Sequence, residues 1–173
     1  MLPSLICPEE MPKIDGIKIP ANLYIVLKKP ALLAGMALPG KSTPWEKMGD
    51  AGFSSVVCLS HSRVYYNPSP LKVLFSAELE DLYHGYDPED PEREEQLIRQ
   101  VTDIIRIKME DGEGIVVHCV GGIGRTGTVI GCVLRDLGFS ADEVINYLDD
   151  LNKERGFGGW PETEWQGEMI RRY

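Results

Sequence analysis

Cysteine is scarce in this sequence and is not arranged in pairs. The 173 residues include only Cys7, Cys58, Cys119 and Cys132, and no two of them form a Cys-x-x-Cys spacing. That spacing argues against a zinc ribbon or a dithiol redox pair, so we expect neither a metal nor a redox cofactor. Few cysteines in a chain of this length favour a reducing compartment, and we therefore expect a cytoplasmic protein.

Long apolar runs and an excess of basic residues are also missing. The apolar stretches 22–27 and 31–40 are bounded or broken by lysines and prolines, well short of a membrane span. The first eleven residues lack the basic and apolar regions of a secretory signal. A net charge of −9 argues against a nucleic-acid binder, which needs a basic surface. We therefore expect no membrane and no nucleic acid as partners.

The acidic residues are concentrated in one part of the chain. The segment Glu78–Asp111 holds twelve acidic and four basic residues, a net charge of −8 out of the total of −9. The rest of the chain is nearly neutral and can still bind an anion. We expect the acidic segment to disfavour acidic substrates, because like charges raise the free energy of association.

Strand-like and helix-like segments alternate along the chain. The length fits one domain, and we predict an irregular lead-in over residues 1–20 followed by a single domain over 21–173. Strands are predicted at 23–27, 31–36, 54–59, 71–79 and 115–118. This alternation predicts an α/β fold, with a mostly parallel sheet of about five strands flanked by helices.

Helix starts are marked by capping residues. Asp90 followed by Pro91 predicts an N-cap and a first helical position, with acidic residues next in the first turn. Ser140 and Glu143 have the spacing of a capping box for a helix that runs to about Arg155. Pro161 is predicted to open the last helix.

The most informative segment is Ile115–Thr128, which reads IVVHCVGGIGRTGT. A buried strand delivers Cys119 at its C-terminal end, where open α/β sheets bind ligands. Three loop glycines then let backbone N–H groups turn toward an anion, and a helix N-terminus adds its positive dipole end. That field favours the thiolate form of Cys119. Arg125 can offer its planar fork to two phosphate oxygens, so the segment predicts phosphoryl transfer to sulfur.

The arrangement His118-Cys119-x5-Arg125-Thr126 resembles the signature of the cysteine-dependent protein tyrosine and dual-specificity phosphatases. The loop CVGGIGR is most similar to that of the small kinase-associated phosphatase branch. The resemblance implies a three-layer phosphatase fold and a metal-independent, two-step hydrolysis through a phosphocysteine. It also implies that the loop amides bind the phosphate oxygens, from Val120, Gly121, Gly122, Ile123, Gly124 and Arg125.

Other interpretations of this segment fit less well. Gly122–Gly127 matches the dinucleotide fingerprint G-x-G-x-x-G, but that motif needs a second strand ending in an acid about 20 residues on. Asp149 and Asp150 lie instead in a strongly helical stretch. A Walker A loop would need a lysine before Thr126. A buried structural thiol is the better interpretation for Cys58 and Cys132, which lie within apolar runs.

The resemblance assigns roles to several further residues. Thr126 corresponds to a hydroxyl that supports the departing thiolate, and His118 to a loop-orienting histidine. The general acid is an aspartate on the loop before the preceding helix, for which Asp81 is favoured and Asp87 is the alternative. Asp90 is better explained as an N-cap. Gln166, in the similar element Pro161-x-Thr163-x-x-Gln166, would position the hydrolytic water; an exposed polar role on the last helix is equally consistent.

The predicted function is therefore hydrolysis of phosphate monoesters: phosphotyrosine first, with phosphoserine and phosphothreonine as further candidates. The partner would be a phosphorylated protein or a small phosphate ester. Two alternatives remain open: a phosphate-binding module without turnover, and a phosphatase acting on a non-protein ester. A polyphosphate or lipid substrate is less favoured, because residues 120–124 include no lysine.

Overall fold

A mixed five-stranded sheet forms the centre of the computed structural model, which describes residues 3–173. The strands are β1 (Leu23–Leu27), β2 (Leu33–Met36), β3 (Phe53–Cys58), β4 (Lys72–Ser76) and β5 (Gly114–His118). Their order across the sheet is β1-β2-β5-β3-β4. β1 pairs antiparallel with β2, and the other three pairings are parallel. The predicted α/β class and mostly parallel sheet are confirmed.

β5 is the central strand and is buried along its whole length. The register places His118 at its C-terminal end opposite Met36 on β2 and Cys58 on β3. Since these three strands are parallel, the loops that follow them leave from the same edge of the sheet. The loop after β5 therefore lies between the loops after β2 and β3, as expected for a ligand site in an α/β sheet.

Five helices flank the sheet in the described part of the chain. They are α1 (Trp45–Asp50), α2 (Pro91–Glu110), α3 (Gly124–Asp136), α4 (Ala141–Glu154) and α5 (Glu164–Arg172), with a short 3-10 helix at Pro8–Glu10. α3 is almost entirely buried, and it packs against β2, β5 and the three other long helices. None of the described helices is long and apolar enough to cross a membrane.

The capping residues define two of the helix starts as predicted. The Asp90 carboxylate accepts a hydrogen bond from the Arg93 backbone N–H at 3.1 Å. Ser140 and Glu143 form the reciprocal bonds of a capping box at 3.2 and 2.8 Å. Each bond satisfies a backbone N–H that has no partner within the helix.

The predicted start of the last helix at Pro161 is wrong. α5 begins at Glu164, because Thr163 is extended, with φ −144° and ψ 153°. The backbone N–H of Glu162 donates to the side-chain Oε1 of Gln166 at 2.9 Å instead of entering a helix. Residues 161–163 therefore form a non-helical approach to α5, and this approach lies against the loop after β5.

The N-terminal lead-in packs against the rest of the chain although it has little regular structure. Ile6, Met11 and Ile14 belong to the same hydrophobic core as the sheet. The Ile6 backbone N–H donates to Val26 O at 3.0 Å, and the Tyr147 hydroxyl donates to Ile6 O at 2.7 Å. A domain boundary at residue 20 remains a prediction.

Candidate active site

Cys119 lies directly after β5 and is 3% exposed. The buried Thr126 hydroxyl donates a hydrogen bond to its Sγ at 3.1 Å. Thr126 sits in the first turn of α3, whose first turn carries no acidic residue. The Glu162 carboxylate nevertheless approaches Gly124, the first residue of α3, from outside the helix. The Thr126 hydroxyl is the donor that can stabilise a thiolate on Cys119.

Two side chains, Tyr24 and Arg155, bind backbone carbonyl oxygens of the cysteine loop, residues 119–125. The Tyr24 hydroxyl donates to Gly122 O at 2.7 Å. Arg155 donates to Gly122 O at 2.9 Å and to Gly121 O at 3.1 Å. In a planar trans peptide the N–H points opposite to the C=O, so the N–H groups of Gly122 and Ile123 face away from Arg155. This orientation turns them toward the open side of the loop, where an anion would bind.

Arg155 is a buried cation that ties three segments together. It follows α4 and also donates to the carbonyl oxygens of Pro20 and Ala21 at 3.1 to 3.2 Å. Its guanidinium stacks 4.5 Å from the centre of the Tyr24 ring. Sequence reasoning assigned no role to Arg155 or Tyr24. In the sequence Arg155 marked only the approximate end of a predicted helix, and Tyr24 lay unmarked in a predicted buried strand.

Two positions of the cysteine loop, Gly122 and Gly124, lie so close to neighbouring atoms that they leave no room for a Cβ. Gly122 has φ +70°, and a Cβ there would meet the Met36 carbonyl of β2. A Cβ on Gly124 would lie 2.6 Å from Glu162 Oε2 and 2.8 Å from Gln166 Nε2. The first glycine permits the left-handed backbone conformation, and the second leaves room for two polar side chains beside the loop.

His118 is fully buried and bonded at both ring nitrogens. Its Nδ1 lies 2.9 Å from Cys119 O, which can only accept, so Nδ1 carries the proton. The Tyr66 hydroxyl then donates to Nε2 at 2.6 Å, in keeping with burial that raises the pKa of Tyr66. Hydrogen bonds at both nitrogens fix the orientation of the ring, and the loop-orienting role that the family resemblance implies for His118 stays a prediction.

Arg125 forms an ion pair with Asp81, the predicted general acid. Its guanidinium is 8% exposed, donates to Leu79 O at 3.3 Å and lies 3.4 Å from Asp81 Oδ2. Asp81 is 45% exposed and so can reach both solvent and a bound substrate. Within residues 3–173, no hydrogen bond or ion pair involves the exposed Asp87. Asp90 is occupied by the cap of α2.

The acidic loop, residues 80–90, is fastened at its base by two glutamates. The Glu80 carboxylate accepts from the backbone N–H groups of Glu89 and Asp90 at 2.7 and 3.2 Å. The Glu94 carboxylate accepts from the Glu80 N–H at 3.1 Å. Burial raises the pKa of Glu94 to about 7 in spite of that hydrogen bond, and the nearby Glu80 charge adds to the rise.

Gln166 and Glu162 lie beside Gly124 of the cysteine loop. Gln166 is 1% exposed, so an exposed polar role for it is excluded; its Nε2 faces Gly124. Glu162 is half-buried, and burial, followed by the charge of Asp81, raises its pKa. Arg125 and the Gly124 N–H act in the opposite direction. Sequence reasoning missed Glu162, although it stands inside the Pro161-x-Thr163 element.

The remaining three cysteines have different environments. Cys132 is fully buried, as predicted for a structural thiol, and burial raises its pKa. Cys58 is also fully buried, and its Sγ donates to His61 O at 3.6 Å. Burial acts to raise the pKa of Cys58, but hydrogen bonds with His118, Ser60 and Ser76 lower it to about 6, which a purely structural thiol would not require. Cys7 is exposed. Among the described residues, no cluster of three or more histidine, cysteine, aspartate or glutamate side chains is placed to hold a metal ion.

Comparison with known proteins decides the family. A family profile described as "Tc-R-P: Polymorphic toxin system, DSP-PTPase phosphatase" matches residues 34–138, which include all of β3, β4, β5 and α3 and β2 except its first residue. The chain belongs to this family. It is a phosphatase of the protein tyrosine and dual-specificity class.

Solved structures of this class share the fold of the phosphatase. The active form of Tk-PTP is 22% identical, with 81% of this chain and 89% of that chain covered and a TM-score of 0.60. A human tyrosine phosphatase-like serine/threonine/tyrosine-interacting protein is 16% identical over 82% and 89% of the two chains, with a TM-score of 0.62. Pseudomonas aeruginosa TpbA, as a cysteine-to-serine variant in complex with phosphotyrosine, is 15% identical over 98% and 88%, with a TM-score of 0.60.

Proposed function

We propose that this phosphatase hydrolyses phosphate monoesters through a phosphocysteine formed on Cys119, with phosphotyrosine as the first substrate. The observation that carries the proposal is the convergence of a thiol, a hydroxyl and a guanidinium on one loop. The Thr126 hydroxyl lies 3.1 Å from Cys119 Sγ, and Arg125 is held beside them by Leu79 O. These are the groups that thiolate attack on phosphorus needs.

In the first step the Cys119 thiolate attacks phosphorus in line with the ester oxygen. The loop amides from Val120 to Arg125 and the Arg125 guanidinium hold the other phosphate oxygens. Asp81, 3.4 Å from Arg125, donates its proton to the leaving oxygen. In the second step water attacks the phosphocysteine, and the Thr126 hydroxyl stabilises the thiolate as it departs.

The substrate range follows from the cysteine loop and its surroundings. Residues 120–124 carry no lysine that would bind an additional phosphate, which favours a single phosphoryl group over a polyphosphate. Support for phosphotyrosine comes from TpbA, whose structure holds that ligand. Phosphoserine and phosphothreonine are further substrates in this proposal.

The test is hydrolysis of a generic aryl phosphate with EDTA present. Wild-type protein should hydrolyse the ester. The Cys119→Ser variant should show no hydrolysis but should still bind phosphotyrosine peptides. Absence of turnover in the wild type, or turnover that the chelator abolishes, would overturn the proposal. A panel of phosphotyrosine, phosphoserine, phosphoinositide and nucleotide esters then ranks the substrate classes by kcat/KM.

A further inference from the structure

A second carboxylate lies at the cysteine loop in addition to Asp81. The Glu162 side chain approaches so closely that a Cβ on Gly124 would lie 2.6 Å from its Oε2. Gly124 belongs to the loop whose amides face the anion site, and Arg125 is the next residue. Glu162 thus contacts the loop at Gly124, whereas Asp81 approaches Arg125 from the acidic loop.

Glu162 is fixed in this place by the backbone and by Gln166. Its own N–H donates to Gln166 Oε1 at 2.9 Å, which holds residues 161–163 out of α5. The same bond turns Gln166 Nε2 toward Gly124, at 2.8 Å from a Cβ position there. A carboxylate that accepts a proton and an amide that donates a hydrogen bond therefore lie side by side. This pair suits a water molecule that must be both held and deprotonated.

From this geometry we infer that Glu162 is the general base of the second step, with Asp81 the acid of the first. The inference rests on the proposed phosphocysteine mechanism. A water oxygen forms a bond to phosphorus while one water proton passes to a Glu162 carboxylate oxygen. The phosphorus–sulfur bond breaks, and its electron pair returns to Cys119 Sγ, which accepts the Thr126 hydrogen bond. The products are inorganic phosphate and an enzyme with Glu162 protonated and Asp81 ionised. Loss of the Glu162 proton to solvent and uptake of a proton by the exposed Asp81 restore the starting state.

The charged groups around Glu162 act on its carboxylate in both directions. Asp81 and Arg125 face it from the acidic loop and from α3. Burial, followed by the charge of Asp81, raises its pKa, so its ionised form is a stronger base than an exposed glutamate. Arg125 and the Gly124 N–H favour the ionised form, which a base must have before it accepts a proton.

The test is stopped-flow hydrolysis of p-nitrophenyl phosphate by wild type, Glu162→Gln and Glu162→Asp. This ester has a good leaving group, so the first step needs little help from an acid. For Glu162→Gln we expect a burst of nitrophenol close to one equivalent, followed by a steady rate about 10²-fold below wild type. Acid quenching during the steady state should show one phosphoryl group on Cys119 by mass spectrometry. Glu162→Asp should recover part of the steady rate.

The control is Glu164→Gln, an exposed glutamate two residues away at the start of α5. It should show wild-type burst and steady rates. A Glu162→Gln variant with the wild-type steady rate would overturn the base role, as would one whose only change is tighter inhibition by inorganic phosphate. Equal loss of the burst and the steady rate would also overturn it, because it would indicate a structural role.

These outcomes are separable from failure of the proposed function. If wild type itself forms no phosphocysteine and releases no nitrophenol, the mechanism fails and the base role fails with it. If wild type turns over and Cys119→Ser does not, the proposed function stands whatever Glu162→Gln does. The burst amplitude of Glu162→Gln then decides the base role alone.

Discussion

The two loops that form the site are held by opposite kinds of chemistry. The cysteine loop is fixed by buried donors: the Tyr24 hydroxyl and the Arg155 guanidinium bind its carbonyl oxygens, and Thr126 binds its sulfur. The acidic loop is fixed by carboxylates, since Glu80 and Glu94 accept from its backbone N–H groups. Donors on the first loop do not change charge near neutral pH, whereas Glu94, with a pKa raised to about 7, does.

In the proposed mechanism the two loops have different tasks, and this difference suits both. A loop that binds a dianion must keep its N–H groups oriented throughout the reaction, which favours buried contacts that do not titrate. A loop that delivers a proton must exchange with solvent, and Asp81 is accordingly 45% exposed. We therefore expect changes in the cysteine loop to alter phosphate binding, and changes in the acidic loop to alter pH dependence.

The largest effect is expected from Asp81→Asn. With an ester of a poor leaving group, kcat should fall about 10²–10⁴-fold, because the leaving oxygen is no longer protonated. The decline of kcat at high pH should also disappear, while KM changes little. Steady-state kinetics over a pH series measures both effects. The matched control is Asp87→Asn, and the reverse pattern in the two variants would move the acid role to Asp87.

A smaller but still large effect is expected from Arg155→Met. Without the guanidinium, the Gly121 and Gly122 carbonyls lose their buried donor and the loop amides lose their orientation. We expect kcat/KM to fall about 10²-fold and inhibition by inorganic phosphate to weaken in parallel. Arg155→Lys, which keeps the charge without the fork, should be intermediate. Unchanged phosphate inhibition in Arg155→Met, compared with the exposed Arg171→Met, would contradict a role in the loop.

Glu94→Gln tests whether Glu94, at the base of the acidic loop, makes the free energy of unfolding depend on pH. The pKa of Glu94 is raised in the folded state to about 7 from an ordinary 4.5, so folding favours the protonated form. That contribution is fully present below pH 4.5 and is lost as pH rises through about 7, on the order of 3 kcal/mol in all. We expect the free energy of unfolding of wild type to fall between pH 5 and pH 7.5.

Glu94→Gln should flatten that decline, since glutamine does not titrate, whereas the exposed Glu92→Gln on the same helix should retain it. Urea unfolding at a series of pH values provides the measurement. Parallel pH profiles for wild type and Glu94→Gln would show that Glu94 is not the titrating group at the base of the acidic loop.

The smallest effect is expected from Tyr24→Phe. Gly122 O loses one of two donors and keeps Arg155, so we expect a loss of about 1 kcal/mol in unfolding free energy and a modest change in kcat/KM. The double variant with Arg155→Lys should deviate from additivity, because both side chains share the same acceptor. Strict additivity in urea unfolding would mean that the two donors act independently.

Local patterns were enough to predict much of this molecule. β1 was predicted at its observed residues, and the caps at Asp90 and Ser140 were predicted because each depends on neighbours within one turn. The strand–loop–helix around Cys119 followed from a compact motif for the same reason. The start of α5 was wrong because a bond between Glu162 and Gln166 overrides the preference of proline for a first helical position.

Contacts between distant residues could not be predicted in this way. Tyr24 meets Gly122 across 98 positions, and nothing in an apolar strand marks a hydroxyl that will bond to a distant loop. Arg155 was predicted as a helix end and Glu162 stood inside the Pro161–Gln166 element, but the partners of both depend on how α4 and α5 pack. The placement of Asp81 beside Arg125 likewise depends on the course of the acidic loop, which residue order alone left open between two aspartates.

The Arg155 guanidinium also makes the N-terminal segment a mechanical part of the phosphatase site. One rigid planar group holds the carbonyls of Pro20 and Ala21 on one side and those of Gly121 and Gly122 on the other. A displacement of the residues before β1 can therefore reach the cysteine loop directly through this one side chain. A ligand or protein that shifts the N-terminal lead-in would therefore also shift the position of the loop that carries Cys119.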